Sequence, residues 1–520
     1  MQASSSKWLG DATACLVVCT LTNLMNGIQY AFPMLTPKLQ LAGFNSAQVV
    51  ITGVLIQLGY GLISYPFGRF YSSTALNLSP AWMDRVVNAF ACFLVLTSIA
   101  IMIGVVAPTD LHEDVTVNGG ALSFAFFLWG AGLGISSFHS LSLVSYIFAT
   151  NKSRRRMAVA SMAFAIGVGS VGYTLLFHYV FTRLSLTYNF VILIGAYAVL
   201  TALRLMYMER GRFDPLSDDD KEAPMLSSPS NASSQSEVQA GSVVLPREES
   251  PDPAVTSSPD SSSAPASVTA PTATSLAPKL MDYLKSKVVW LTSISTFFGF
   301  GVGSAYLSSL GNLATSLVDG ADAIDDVTYN LTLSFLCLVI LARLTTTIIY
   351  AYLNWPHVMT LWNATLFLGI IVYLSAPTLV GAYCSAALVG LGFGGVSSAP
   401  SVIASTNFPG SVAYYSINLS VAVTVMSFGP TLIGSIETVV YEKSSLAGFN
   451  DDDFEYLASF IYFLCASFVS TAASVFLGLQ IRKDYKLEIA SLQTFQAELP
   501  QMISETNCEK ESARPRSIDI

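Results

Sequence analysis

Residues 86–106 read VVNAFACFLVLTSIAIMIGVV, an apolar run without one charged side chain. A helix that crosses the hydrocarbon core of a bilayer needs roughly 20 mostly apolar residues. Working outward from this run, similar stretches lie near 11–34, 47–68, 120–147, 157–181 and 189–208, and again near 287–310, 327–352, 357–377, 379–404, 412–438 and 455–480. Lipid supplies no water to free backbone groups, so a spanning segment must close its hydrogen bonds within a helix or a barrel. Segments of this length are helices. The expected fold is an all-α membrane protein with about twelve transmembrane helices in two six-helix bundles.

A Ser-, Pro- and Asp-rich segment from Asp214 to about Pro278 separates the two groups of spans. The expected organisation is an N-terminal bundle over 1–210, a disordered cytosolic linker over 211–285, a C-terminal bundle over 286–482 and a cytosolic tail over 483–520. The linker has too little apolar surface to offset its ordering entropy. It reads as a flexible tether, with phosphorylation of its serines as a regulatory alternative. The first span keeps Asn23, Asn26 and Gln29 inside it, whereas a removable signal has a basic start, a shorter apolar core and a small-residue cleavage site, so it reads as a retained helix.

Composition agrees with a membrane protein. Of 520 residues, 52% are hydrophobic and only 11% charged, against about a quarter charged in soluble domains. Many of the acids behind the net charge of -9 lie in the linker and the C-terminal tail, so the charge says little about partners. Seven scattered cysteines, six of them inside spans, read as small packing residues and imply no disulfide framework. No nucleic-acid partner is expected.

Lys and Arg in short loops set the orientation. With the N-terminus inside, the inner loops hold Lys7, Arg69, Arg85, Lys152, Arg154, Arg155, Arg156, Arg210, Arg212, Lys285, Lys287, Arg482, Lys483 and Lys486, and the outer loops only Lys38, Arg183 and Lys443. Both termini and the linker are expected in the cytosol. Asn231 heads a glycosylation sequon that this topology leaves unused.

The two halves echo one another. Gly130-Ala131-Gly132-Leu133-Gly134 precedes Ser136-Ser137 on the fourth span, and Gly390-Leu391-Gly392-Phe393-Gly394 precedes Ser397-Ser398 on the tenth. Parallel repeats in a two-bundle transporter have this signature. Small residues also let membrane helices approach closely, so packing explains these glycines without a ligand.

Six plus six spans around a long middle loop resemble the major facilitator superfamily. Gly61-Leu62-Ile63-Ser64-Tyr65-Pro66-Phe67-Gly68-Arg69 is similar to the loop motif of that superfamily, with Gly61, Gly68 and Arg69 in place and Tyr65 where an Asp is usual. Asn26-Gly27-Ile28-Gln29-Tyr30-Ala31-Phe32, Pro37-Lys38-Leu39 and Gln48, with Phe408-Pro409-Gly410, Tyr415 and Asn418, resemble the nodulin-like and monocarboxylate-transporter-like branch. The resemblance implies a cavity lined by spans 1, 2, 4, 5, 7, 8, 10 and 11, with 3, 6, 9 and 12 outside. It also implies that Arg343 matches an Arg of the eighth span, with Val339 where that branch carries an Asp.

Ionisable groups inside a membrane are costly and mark candidate sites. Arg343 lies deep in its span, and a guanidinium offers a planar fork of donors to a carboxylate. It is the first candidate for substrate binding, with a bond to a neighbouring helix as the alternative. Asn23, Asn26 and Tyr30 fall three and four residues apart on one helical face with Gln29 beside it. With Gln57, Tyr60 and Asn418 they are expected to line a polar cavity, or else to bond helix to helix. His139, among Ser136, Ser137 and Ser140, either titrates or bonds across helices. Arg204 is expected to snorkel to water and His178 to sit at the outer interface. Asp11, Asp84 and Glu437 read as lying near span ends, which leaves no buried acid for proton coupling.

These readings point to a secondary transporter moving a small organic anion or amino acid by alternating access. The substrate is expected to be a carboxylate-bearing small molecule, with proton coupling left open. A non-transporting receptor or scaffold on the same fold is the alternative. Four scattered histidines give neither a metal site nor an enzyme's constellation, so no enzyme activity and no cofactor are expected. Few outer sequons and a long cytosolic linker suit a vacuolar or other organellar membrane, or the plasma membrane.

Overall fold

A computed structural model describes residues 2–41, 43–74, 80–111, 118–148, 152–210, 286–318, 320–406, 415–446 and 456–512. The expected linker, Phe408-Pro409-Gly410 and the last residues of the tail lie outside the described residues. Within the described residues, twelve helices are long and apolar enough to cross a membrane.

In the first half, α1 (Gln2–Asn26) runs into a 3-10 segment (Gly27–Leu35) and a short turn of helix (Thr36–Leu41). It is followed by α2 (Ser46–Leu62, prolonged by Ser64–Thr74), α3 (Pro80–Leu111), α4 (Gly119–Ile147), α5 (Lys152–Tyr179) and α6 (Leu186–Arg210). The second half comprises α7 (Lys287–Leu317), α8 (Ala321–Tyr352), α9 (Trp355–Ser375), α10 (Leu379–Thr406), α11 (Tyr415–Leu446) and α12 (Leu457–Ser512). α12 runs well past the apolar span that ends at Asp484. Part of the expected cytosolic tail is thus continuous helix.

The ends of these helices follow from their sequences. Asn45 caps α2 by accepting the Gln48 amide at 2.7 Å while the Gln48 side chain accepts the Asn45 amide at 3.2 Å, a reciprocal box that satisfies two orphan donors. Gly320, at φ 94°, turns α7 into α8 in a conformation that other residues rarely adopt.

Packing separates inner from outer helices. The α4 span has 72% of its core window buried and the α1 span 67%, whereas the α3 and α6 spans have 33% and 28%. Phe93 of α3, Leu203 of α6, Leu368 of α9 and Phe476 of α12 are exposed, as lipid-facing side chains are. Cys15 and Cys19 are buried, but Cys337, Cys384 and Cys465 are exposed. Packing therefore explains only some of the cysteines.

The Gly echo is a packing device used twice. A Cβ on Gly130 or Gly134 would run into the carbonyl oxygens of Ile56 and Tyr60 on α2. A Cβ on Gly390 or Gly394 would meet those of Phe335 and Val339 on α8 in the same way. Between them, Gly132 faces Ala91 and Val95 of α3, and Gly392 faces Trp362 and Leu366 of α9. So α4 lies on α2 and α3 as α10 lies on α8 and α9, with small residues permitting close backbone approach.

Candidate functional site

The centre of the molecule is shaped by a change of helix type in α1. From Gly27 the chain winds as a 3-10 helix, turning about 120° per residue instead of about 100°. Gly27 allows this segment to lie on α5, where a Cβ would strike the backbone of Ile166 and Ser170. The shared face expected for Asn23, Asn26 and Tyr30 assumes an unbroken α-helix, and the tighter winding breaks it. Asn23 and Asn26 turn into their own half of the molecule, whereas Tyr30 turns across the seam. Its ring meets Phe393 of α10 edge-on, with centroids 5.9 Å apart.

Arg343 lies at that seam. It is 4% exposed. Its Nη1 donates to the Ala163 carbonyl of α5 at 2.8 Å, and its Nη2 donates to Ser397 Oγ of α10 at 3.2 Å. Its Cζ stands 5.3 Å from the Tyr30 ring centre, a cation–π contact. One guanidinium thus ties α8 and α10 of the second half to α1 and α5 of the first. Arg343 and Tyr30 are the sequence candidates that the fold brings together, beside an aromatic wall in which Phe300 stacks on Phe393 at 5.0 Å.

The other candidates are placed differently. Tyr60 donates to Ser137 Oγ at 2.9 Å, and Ser137 donates to Asn23 Oδ1 at 2.7 Å. Asn23 Nδ2 donates to the Cys19 carbonyl and lies 3.3 Å from Met162 Sδ. Asn23 therefore bonds helix to helix. Asn26 Nδ2 reaches the Leu133 carbonyl and Ser136 Oγ, both at 3.4 Å, while Asn26 Oδ1 and Gln29 Oε1 are buried acceptors without a donor among the described residues. Gln57 and Asn418 are buried. Gly61 packs against Ser427 and Val423 of α11, and its carbonyl accepts the Thr424 hydroxyl at 2.9 Å. Gly68 is buried and Arg69 exposed beyond that contact.

A buried charge network occupies the first half, where the sequence reading placed none. Arg204 is 3% exposed and does not snorkel to water. Its Nη2 donates to Asp84 Oδ1 at 2.8 Å, and its Nη1 to Thr22 and Ser140 hydroxyls, both at 2.9 Å. Asp84 is 1% exposed because α3 begins at Pro80 and carries it into the bundle. His139 Nε2 meets the same carboxylate oxygen at 2.7 Å, so His139 is a cross-helix partner and not a cavity group. Glu437 is also buried, at 2% exposure. The expectation that no acid is buried is therefore corrected twice.

Two further contacts close the seam away from the Gly61 end. Gln40 Nε2 donates to Asn312 Oδ1 of α7 at 3.0 Å, and the His178 ring of α5 stacks on Tyr329 of α8 at 3.8 Å.

No family model matches the sequence, and no curated protein does. Solved structures share its fold. The E. coli fucose:proton symporter FucP, in a variant form, is 14% identical with TM-score 0.51 over 91% of this chain and 99% of its own. A D-xylose-proton symporter is 14% identical with TM-score 0.56 over 88% and 97%. The nucleoside transporter NupG, also a variant, is 11% identical with TM-score 0.55 over 90% and 99%. The chain has the twelve-helix fold of major facilitator superfamily transporters.

Proposed function

We propose that this protein is a secondary transporter that carries a small organic anion or amino acid between two rocking halves, as in the monocarboxylate-transporter-like branch. The observation that carries the reading is Arg343, a cation held at the seam by a backbone carbonyl of the opposite half. A carboxylate is a stronger partner for a guanidinium than a neutral carbonyl. A substrate carboxylate would take Arg343 from Ala163, with Tyr30 against the cation and Ser397 beside it. Exchange of partners at this point alters a bond between the halves, which is where alternating access requires change. The basic loops put both termini in the cytosol, in an organellar or plasma membrane.

A second reading follows from the Asn26 and Gln29 oxygens, which have no donor among the described residues. Acceptors without donors suit a hydroxylated neutral substrate, the kind named for the fucose and xylose symporters. Thermal unfolding of the purified protein with a panel of carboxylates, amino acids, sugars and nucleosides separates the two. Stabilisation by a carboxylate, absent in Arg343→Gln, supports the anion reading. Stabilisation by a sugar that persists in that variant replaces it with the second.

A further inference from the structure

The 3-10 winding that turns Tyr30 toward Arg343 also lines up a row of side chains on another face of α1. Residues three apart eclipse in such a helix, at about 2.0 Å of rise per residue, so Asn26, Gln29 and Phe32 stand above one another about 6 Å apart. Both ends of the row are pinned to the first half. Asn26 Nδ2 reaches the Leu133 carbonyl and Ser136 Oγ of α4 at 3.4 Å, and the Phe32 ring meets Phe126 of α4 edge-on at 5.6 Å. A Cβ on Gly53 of α2 would strike the same Phe32 ring. Gln29, between the two, therefore faces α4 and α2. Gln57 follows Gly53 by one turn on the same face of α2 and, because α2 runs antiparallel to α1, comes level with Gln29.

The row presents two acceptors in need of donors. A carbonyl can only accept, so Leu133 fixes the Asn26 amide with its nitrogen toward α4 and its oxygen away. Asn26 Oδ1 and Gln29 Oε1 have no donor among the described residues, although the two residues are only 0% and 4% exposed. A buried acceptor without a donor costs the desolvation of the group, which a ligand bearing hydrogens relieves. An ammonium offers three donors and no acceptor, so it can answer both oxygens at once; a hydroxyl offers one hydrogen and adds lone pairs that need donors of their own. α2 from Ser46 to Leu62 carries no Lys, Arg or His, and His139 of α4 is held by Asp84. Neither helix that Gln29 faces supplies a cation of its own.

A partner for the opposite charge is close by. Tyr30, whose ring centre lies 5.3 Å from Arg343 Cζ, directly follows Gln29, and consecutive Cα atoms are about 3.8 Å apart. One small molecule can therefore reach both places. We propose that the substrate is an amino acid: its carboxylate pairs with Arg343 and its ammonium group with Asn26 Oδ1 and Gln29 Oε1, with Gln57 at the same level. The assignment rests on the carboxylate reading of Arg343. Each charge of the zwitterion then meets a partner, which membrane depth demands.

Thermal unfolding of the purified full-length protein tests this with the proteinogenic amino acids, each beside the acid that lacks the α-amine and the acid that bears a hydroxyl in its place, as alanine beside propionate and lactate. Binding to the folded form raises the melting temperature, here by about 2–4 °C for the amino acid that fits. Its deaminated and hydroxy counterparts should need about tenfold more compound for the same shift, because hydrogen bonds from a charged donor are lost. Gln29→Leu and Asn26→Leu should each bring the amino acid down to the level of its deaminated counterpart, whereas Arg343→Gln should abolish the response to both. Gln29→Leu keeps the test open if loss of the Leu133 and Ser136 contacts unfolds Asn26→Leu. A deaminated or hydroxy acid that stabilises as well as its amino acid, in an Arg343-dependent way, overturns the ammonium site and leaves the carboxylate reading standing. An amino acid response that survives intact in Gln29→Leu also overturns the site. A wild type that answers no carboxylate, with or without an amine, overturns both.

Discussion

Replacing Arg204 by Met removes the one permanent cation from the Asp84 network. Asp84 Oδ1 then keeps only His139, at 2.7 Å, and Oδ2 has no partner among the described residues in the first place. Thr22 and Ser140 lose their contacts with Arg204 Nη1 as well. Breaking a buried pair by removing one partner costs about 3–5 kcal/mol, because the other charge stays buried. Asp84→Asn strands the guanidinium and should cost a similar amount. The double variant strands neither charge, so its loss should fall short of the sum by about 2 kcal/mol or more. The assay is thermal unfolding of the four proteins in one detergent, with a melting shift of roughly 5–10 °C expected for each single variant. Single variants that melt with wild type, or a double variant whose shift equals the sum, would refute the claim that these charges pair inside the bundle.

Three other outcomes follow from the geometry. Gly134→Val and Gly394→Val should each destabilise by about 1–3 kcal/mol or more, since the new side chains overlap α2 and α8; Gly104→Ala, with open space around it, should melt within a degree or two of wild type. Cysteines at Gln40 and Asn312, joined by a short cleavable cross-linker after Cys337, Cys384 and Cys465 are replaced, should arrest uptake, and reduction should restore it. Tyr30→Ala should lower apparent substrate affinity by about 2- to 30-fold, as loss of one cation–π contact of about 0.5–2 kcal/mol implies, while Tyr30→Phe keeps most of it; equal losses in both would point to the hydroxyl instead.

The fold was legible because lipid imposes a length and composition that no soluble helix shares, and the run at 86–106 states it directly. The Gly pattern was legible as a packing signal repeated at matching positions of the two halves, whereas the helices it packs against came only from the structure. Arg343 stood out because a deep cation is rare. What the sequence hid was partnership. Asp84 and Arg204 lie far apart in the chain, and each looked like an interfacial residue taken alone; only the length of α3 below its apolar run and the packing of α6 bring them together. Asn23 and Tyr30 were misgrouped for a local reason: the helical period assumed for α1 fails at Gly27. Glu437 looked peripheral because α11 extends to Leu446, farther than its hydropathy suggested.

Uptake into proteoliposomes of a labelled panel of monocarboxylates and amino acids, with and without imposed proton and sodium gradients, for wild type and Arg343→Gln, is the most direct measurement of the central claim. The account predicts saturable uptake of an anionic substrate by wild type and its loss, by about tenfold or more, in a variant that is folded and inserted. Undiminished uptake in Arg343→Gln would contradict the role given to Arg343, and no uptake of any compound by a folded wild type would contradict the transporter reading itself.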